Sequence, residues 1–378
     1  MAARLESCQP GSVRLTEFKT TGHHERADGF AGSLHTLGFL MSVYRAVQVS
    51  GTRSFAAVRR EAQEPGPGFV RLRVEACGVC HSDAMAVEGL RADPSVPVVP
   101  GHEIVGVIEA VGEQVGSWQV GDRVGVGFLA GHCGECESCR RGDFVYCQNQ
   151  QQTGTTIDGG YAESVIAKAT GLVRIPEGLS SHEAAPLLCA GLTTFMGLRA
   201  ADAAPGALVA VQGIGGLGHL ALQYADKLGY RVAAIARGGA KEELAYSLGA
   251  DHYIDSGAQD PGVALQELGG AAAVIATASA GASMSPLIPG LALRGRLVVL
   301  GAAADPISVQ TTDLIFGGRS IIGSLTGTPS DNEDNLRFCL AQGIRPMTEL
   351  MPLSEAAKAY EHMMSGQARF RVVLDAAS

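Results

Sequence analysis

Residues 77–89, CGVCHSDAMAVEG, gather two cysteines, a histidine, a serine and an aspartate into one glycine-hinged stretch, and the chain later supplies GHE at 101–103 and LLCAG at 187–191. A catalytic zinc takes three protein ligands and keeps one position open for an oxygen-bearing substrate. Cys80, His102 and Cys189 make a mixed sulfur and nitrogen set of that kind. Read singly, Cys189 in APLLCAGL also fits a buried core cysteine and His102 a turn histidine, and residue type alone leaves both readings open. A second set is denser. Cys133, Cys136, Cys139 and Cys147 follow C-x2-C-x2-C-x7-C. Disulfides across two-residue gaps would close strained loops, whereas four thiolates can converge on one tetrahedral zinc. Such a site has no open position, so its expected role is to staple a loop.

A third chemical feature is GIGGLG, which puts Gly213, Gly215 and Gly218 in G-x-G-x-x-G spacing with Gly216 between them. The pattern stands directly after the apolar run ALVAVQ and before LGHLALQYADKLG, whose apolar residues recur at helical spacing up to Gly229. A glycine-rich turn between a strand and a helix lets a pyrophosphate approach the helix N-terminus, so a dinucleotide is the expected ligand.

The elements that must position these groups have two textures. From about 43 to 190 the chain runs in short β-like pieces such as GFVRLRVEACGV and EIVGVIEAVG, separated by Gly and Pro turns. From 191 to 329 strand-length apolar runs alternate with helical segments: ALVAVQG, RVAAIA, DHYID, AAVIATA, GRLVVLG and SIIGSL. That rhythm predicts an α/β protein with a doubly wound parallel sheet. The tail from 330 to 378 returns to a helix, LSEAAKAYEHMMSGQ, and a strand, RFRVVLD, expected to rejoin the first domain.

The first forty residues lack any sustained period and contain Glu6, Glu17, Glu25 and Asp28, which fit neither a secretory signal nor a transit peptide. They read as a dispensable, disordered extension; Met41 is a candidate natural start, and His23 and His24 a surface pair. A length of 378 residues favours two domains, and 46% hydrophobic with 18% charged residues fits a globular α/β chain. A net charge of −9 without a basic run argues against a nucleic-acid partner, and no run reaches the eighteen or so consecutive apolar residues of a membrane span. Nine cysteines, six of them in metal-like patterns, point to a reducing cytoplasm.

With GVCHSD, PGHEIVG, the four-cysteine loop, LLCAGLTT and GIGGLGHLALQYA in this order, residues 43 to about 376 resemble a zinc-dependent alcohol dehydrogenase of the medium-chain dehydrogenase/reductase superfamily. The resemblance implies a GroES-like catalytic domain, 41–190 and 330–378, around a Rossmann dinucleotide-binding domain, 191–329. It implies that Cys80, His102 and Cys189 hold a catalytic zinc, with Glu103 near the metal and Asp83 orienting the histidine. Ser82 would take the proton of the alcohol, His81 and Arg371 would meet the cofactor pyrophosphate, and Thr193 would lie beside the nicotinamide. Two zinc ions per chain, a small-molecule alcohol or aldehyde substrate and a homodimer or homotetramer follow from the same resemblance.

Departures are informative. Many relatives carry a histidine three residues after the relay hydroxyl, where this chain has Met85, and the frequent tryptophan near Val87 is absent while Phe128 retains an aromatic wall. At the end of the second Rossmann strand an NAD-selective fold places an acid, but here Ala236 is followed by Arg237, with Gly238, Gly239 and Lys241 behind. A base in place of the acid predicts NADP(H) over NAD(H). The alternative within the superfamily is a zinc-free quinone or enoyl reductase, or a cofactor-binding structural member; intact ligand residues weigh against it.

Overall fold

Gly and Pro turns divide residues 43–190 into antiparallel strands. The computed structural model describes residues 43–378; the expectations for the first forty residues, His23 and His24 among them, lie outside the described residues. A hairpin of β1 (Val43–Val49) and β2 (Phe55–Glu61) leads into β3 (Phe69–Gly78), β4 (Glu103–Val111), β5 (Arg123–Val126), β6 (Ser164–Lys168) and β7 (Leu172–Arg174). The tail adds β14 (Thr348–Pro352) and β15 (Arg371–Asp375), giving a seven-stranded sheet in the order β14-β15-β3-β4-β5-β7 with β6 also paired to β3. The C-terminal strand therefore does rejoin the first half, with Val373 opposite Gly78.

The six apolar runs read from sequence are β8 (Leu208–Gln212), β9 (Arg231–Ala236), β10 (His252–Asp255), β11 (Ala271–Ala276), β12 (Leu291–Val299) and β13 (Ser320–Gly323). They form one parallel sheet ordered β10-β9-β8-β11-β12-β13. Strand order reverses between β8 and β11, and ligands of such sheets bind at that crevice. Both faces are buried, as parallel crossovers require: Val209, Val211, Val232 and Ala234 join one core while Leu208, Ala210, Ala233 and Ile235 join another.

The first of these cores is shared with the antiparallel sheet, because Ala76, Val105 and Val373 pack in it beside Leu187, Leu188 and Leu198. Those leucines belong to the helical stretch Ser181–Ala201, which begins on a capping box in which Ser180 accepts from the Glu183 N–H. The stretch is long and apolar enough to cross a membrane, yet 78% of its most apolar window is buried inside this fold, so it is a core helix.

Candidate active site

Strand pairing explains how distant ligands meet. Gly78 at the end of β3 lies opposite Glu103 at the start of β4, which sets Cys80, just beyond one strand, beside His102, just before the other. Cys189 comes from the irregular turn Leu187–Gly191 inside the core helix, a π-helical turn between Ser181–Pro186 and Leu192–Ala201. Its neighbours Leu188 and Ala190 are buried, but Cys189 itself is half-buried, so the core-cysteine reading does not hold. One ligand atom each from Cys80, His102, Glu103 and Cys189 lies within 4.8 Å of the others. Cys80 Sγ and Cys189 Sγ are 3.9 Å apart.

This donor set fits a divalent metal. His102 is 1% exposed, and among the described residues neither its Nε2 nor Glu103 Oε2 has a hydrogen-bond partner. A buried nitrogen without a partner costs free energy unless something binds it. Hydrogen bonding from Cys189, together with His102, outweighs burial and holds the Cys80 thiol well below its ordinary range, while Cys189 is pushed well above it by the same contact and by burial. Two thiolates this close repel, and a cation between them removes the conflict.

Asp83 anchors the imidazole from behind. Its Oδ1 lies 2.9 Å from His102 Nδ1, and its Oδ2 accepts from the Tyr161 hydroxyl at 2.8 Å and the Cys80 N–H at 2.9 Å. A carboxylate on Nδ1 selects the tautomer whose Nε2 lone pair is free to bind a metal. Burial disfavours charge on His102, but Asp83 and the Cys80 thiolate outweigh it and hold the ring's pKa well above the usual value. Tyr161, 78 residues from Asp83, was not singled out from sequence, and no local signal marks it. Ser82 is half-buried and His81 exposed on the same short turn, His81–Asp83. Phe128 meets His102 edge-on with ring centroids 5.2 Å apart, whereas Val87 is fully buried in the core and Met85 half-buried.

Burial pushes the Glu103 carboxyl up to about 8 against the pull of Arg371, whose guanidinium donates to Glu103 Oε1 and to the Val79 carbonyl at 3.1 Å. Arg371 is 4% exposed, which rules out a solvated surface charge. It links the two halves of the site, because a Cβ on Gly216 would stand 2.7 Å from its Nη1.

The glycine-rich turn follows β8. Gly213 has φ +91°, a conformation that suits glycine, and a Cβ on Gly218 would lie 1.7 Å from the Gly213 carbonyl oxygen. Around Gly215 there is open space, and Thr193 lies buried four residues after Cys189. His219, the first residue after the motif, is a feature sequence reading missed: its Nδ1 is 2.9 Å from the Gly215 carbonyl, and its Nε2 accepts from the Met347 N–H at 3.2 Å. At the end of β9, Arg237 is exposed, while Gly238 donates to Asp255 Oδ1 at 2.7 Å. Lys241 departs from expectation. Its ammonium turns back to the Ile214 carbonyl at 2.5 Å and sits 5.6 Å over the Phe370 ring, because a partly buried ammonium needs an acceptor and the turn offers one. It stands at the glycine-rich turn.

The four-cysteine loop also converges, with Cys133, Cys136, Cys139 and Cys147 Sγ atoms all within 4.8 Å. Backbone N–H groups point at the sulfurs, Cys136 N to Cys133 Sγ and Gln148 N to Cys136 Sγ, each at 3.4 Å. Such donors favour thiolate, and those of Glu135 and Cys136 hold Cys133 at about 6.

Residues 66–177 match the alcohol dehydrogenase GroES-like domain and residues 216–341 the zinc-binding dehydrogenase family. An alcohol dehydrogenase of Aspergillus sp. (strain MF297-2) is 45% identical over 311 residues, 82% of this chain and 91% of the relative. The chain belongs to the alcohol dehydrogenases of the medium-chain dehydrogenase/reductase superfamily. This alcohol dehydrogenase matches the solved cinnamyl alcohol dehydrogenase SbCAD4 of Sorghum bicolor with a TM-score of 0.80 at 31% identity, covering 89% of this chain and 98% of the other. It matches the CAD of Helicobacter pylori, solved in complex with NADP(H), with a TM-score of 0.79 at 26% identity, over 89% and 99% of the two chains. Its reaction class is accordingly the oxidoreduction of an alcohol and aldehyde with a nicotinamide cofactor.

Proposed function

We propose that this alcohol dehydrogenase is zinc-dependent, holds two zinc ions per chain and prefers NADP(H). The convergence of Cys80, His102 and Cys189 with an unpartnered, buried His102 Nε2 carries the reading. Zinc bound there supplies Lewis acidity that lowers the pKa of an alcohol or polarises a carbonyl. Ser82 accepts the alcohol proton, and with Met85 where relatives place a histidine, the proton leaves through water or a cofactor ribose hydroxyl. Asp83 fixes His102. Glu103, paired with Arg371, is a carboxylate within reach of the metal position. The glycines of the turn, His81 and Arg371 take the pyrophosphate, and Thr193 the nicotinamide. Arg237, exposed at the end of β9 with no acid at Ala236, takes the 2′-phosphate. The second zinc is held by the four-cysteine loop.

In this reading residues 41–190 and 330–378 form the catalytic domain and 191–329 the dinucleotide domain, and the reduced thiolates of both metal sets suit a cytoplasmic location. Self-association is supported by β13, an edge strand of the parallel sheet among the described residues, and by Leu293, Ile315 and Phe316, which are 79%, 72% and 84% exposed. Phe316→Glu should then lower the mass measured by sedimentation.

The decisive test is elemental analysis with steady-state kinetics in both cofactors. Two zinc ions per chain, a preference for NADP(H), and a rise of about 10- to 100-fold in the NADP(H) KM of Arg237→Ala, with NAD(H) unaffected, are expected. One zinc or none, or wild-type preference for NAD(H), would contradict the corresponding part.

A further inference from the structure

Cys189 sits in the one π-helical turn of the described residues, and that turn is held by side chains from elsewhere in the chain. The Leu192 N–H reaches back five residues to the Leu187 carbonyl, so the regular hydrogen-bond ladder is broken at Cys189. Asn335 Nδ2 donates to the Leu187 carbonyl at 2.9 Å, and Asn332 Nδ2 to the Leu188 carbonyl at 3.0 Å. Thr194 Oγ1 serves the Ala190 and Gly191 carbonyls at 2.8 and 2.9 Å. The Tyr224 hydroxyl in turn donates to Asn335 Oδ1. Asn332 is 2% exposed, and Asn335, Tyr224 and Thr194 are fully buried. Two asparagine amides in an apolar core are unfavourable unless their hydrogen bonds are made, and here both donate to carbonyls of the π turn itself, Leu187 and Leu188.

We propose that Asn332, Asn335 and Tyr224 are positioning residues that hold the π turn and thereby aim the Cys189 thiolate at the metal position. If the turn relaxed to a regular α-helix, everything on one side of it would rotate by about 100° for the one-residue change in register. That rotation would carry Cys189 Sγ away from Cys80 Sγ, now 3.9 Å off. The inference rests on the proposed role of Cys189 as a zinc ligand, and adds that a separate helix, Pro329–Gln342, determines how well that ligand is presented.

The test uses cobalt-substituted and zinc-loaded full-length protein. Subtracting the cobalt spectrum of Cys189→Ser from that of wild type isolates the bands of the catalytic site, leaving out the four-cysteine loop. Asn335→Leu should shift and weaken those bands and release one zinc to a chelator about tenfold faster or more, with the other zinc retained. Asn335→Asp, which removes the donor at constant size, and Tyr224→Phe, which removes only the hydroxyl, should move the same readouts in the same direction and guard against a misfolded leucine variant. A folded Asn335→Leu or Asn335→Asp protein with wild-type bands and release rate overturns the positioning role. A Cys189→Ser protein with the wild-type spectrum and zinc content overturns the ligand assignment and the positioning role with it.

Discussion

Replacing Asp83 by asparagine isolates the carboxylate behind His102 with almost no change in volume. Asp83 is 1% exposed, so water cannot substitute for what is lost. Its two oxygens face three groups: His102 Nδ1 at 2.9 Å on one side, the Tyr161 hydroxyl and Cys80 N–H on the other. An amide nitrogen facing Nδ1 would force the ring into the tautomer that carries its proton on Nε2, the atom meant for metal. Turned the other way, it would leave the Cys80 N–H facing a donor. Either orientation strands one buried group, at about 1–3 kcal/mol, which corresponds to roughly a 5- to 150-fold loss in whatever depends on the correct geometry. Removing a carboxylate behind a metal-bound histidine has a measured cost of about 10–100-fold in metal affinity, in the same range. The expected outcome for Asp83→Asn is therefore zinc release at the catalytic site faster by that factor, followed by chelator competition, with circular dichroism unchanged. Tyr161→Phe should show a smaller effect in the same direction. Asp83→Asn protein that retains zinc as wild type does would refute the reasoning.

His219 supplies a pH dependence. Burial holds its ring at about 4, against an ordinary 6.5, so the unfolded chain binds the proton first; stability is complete above pH 6.5 and is lost as pH falls toward 4, by up to about 3 kcal/mol. Urea midpoints at pH 7 and pH 5 should differ less in His219→Gln than in wild type, and an equal difference would remove His219 as the cause. Gly218→Ala places a methyl group 1.7 Å from the Gly213 carbonyl oxygen, and should abolish nicotinamide cofactor binding, read by fluorescence titration, while both zinc ions remain. Cys136→Ser should lose one zinc and lower the melting temperature, whereas His102→Ala should lose turnover with the fold and cofactor binding kept; the reverse pattern would exchange the roles of the two metal sets.

What the sequence by itself determined was everything written in local spacing. The four cysteines of the loop lie within fifteen residues, and chain connectivity alone keeps them near one another. The glycine-rich turn and the six apolar runs of the parallel sheet were legible because strand, turn and helix each have a short-range period, and β8 to β13 fall where those runs lie. For Cys80, His102 and Cys189, residue type left two readings open and resemblance to a family supplied the roles. Tertiary structure decided what depends on long-range pairing. Register between β3 and β4 brings Cys80 to His102, and the Tyr161 hydroxyl reaches Asp83 across 78 residues. Arg371 meets Glu103 across 268 residues and is buried. Lys241 illustrates the same limit in reverse: its position in the chain put it beside Arg237, but a flexible four-carbon stem goes where a buried ammonium finds an acceptor. The π turn at Cys189 has no sequence period of its own, because the side chains that donate to its carbonyls, Asn332 and Asn335, are residues that only the packed fold brings within hydrogen-bonding distance.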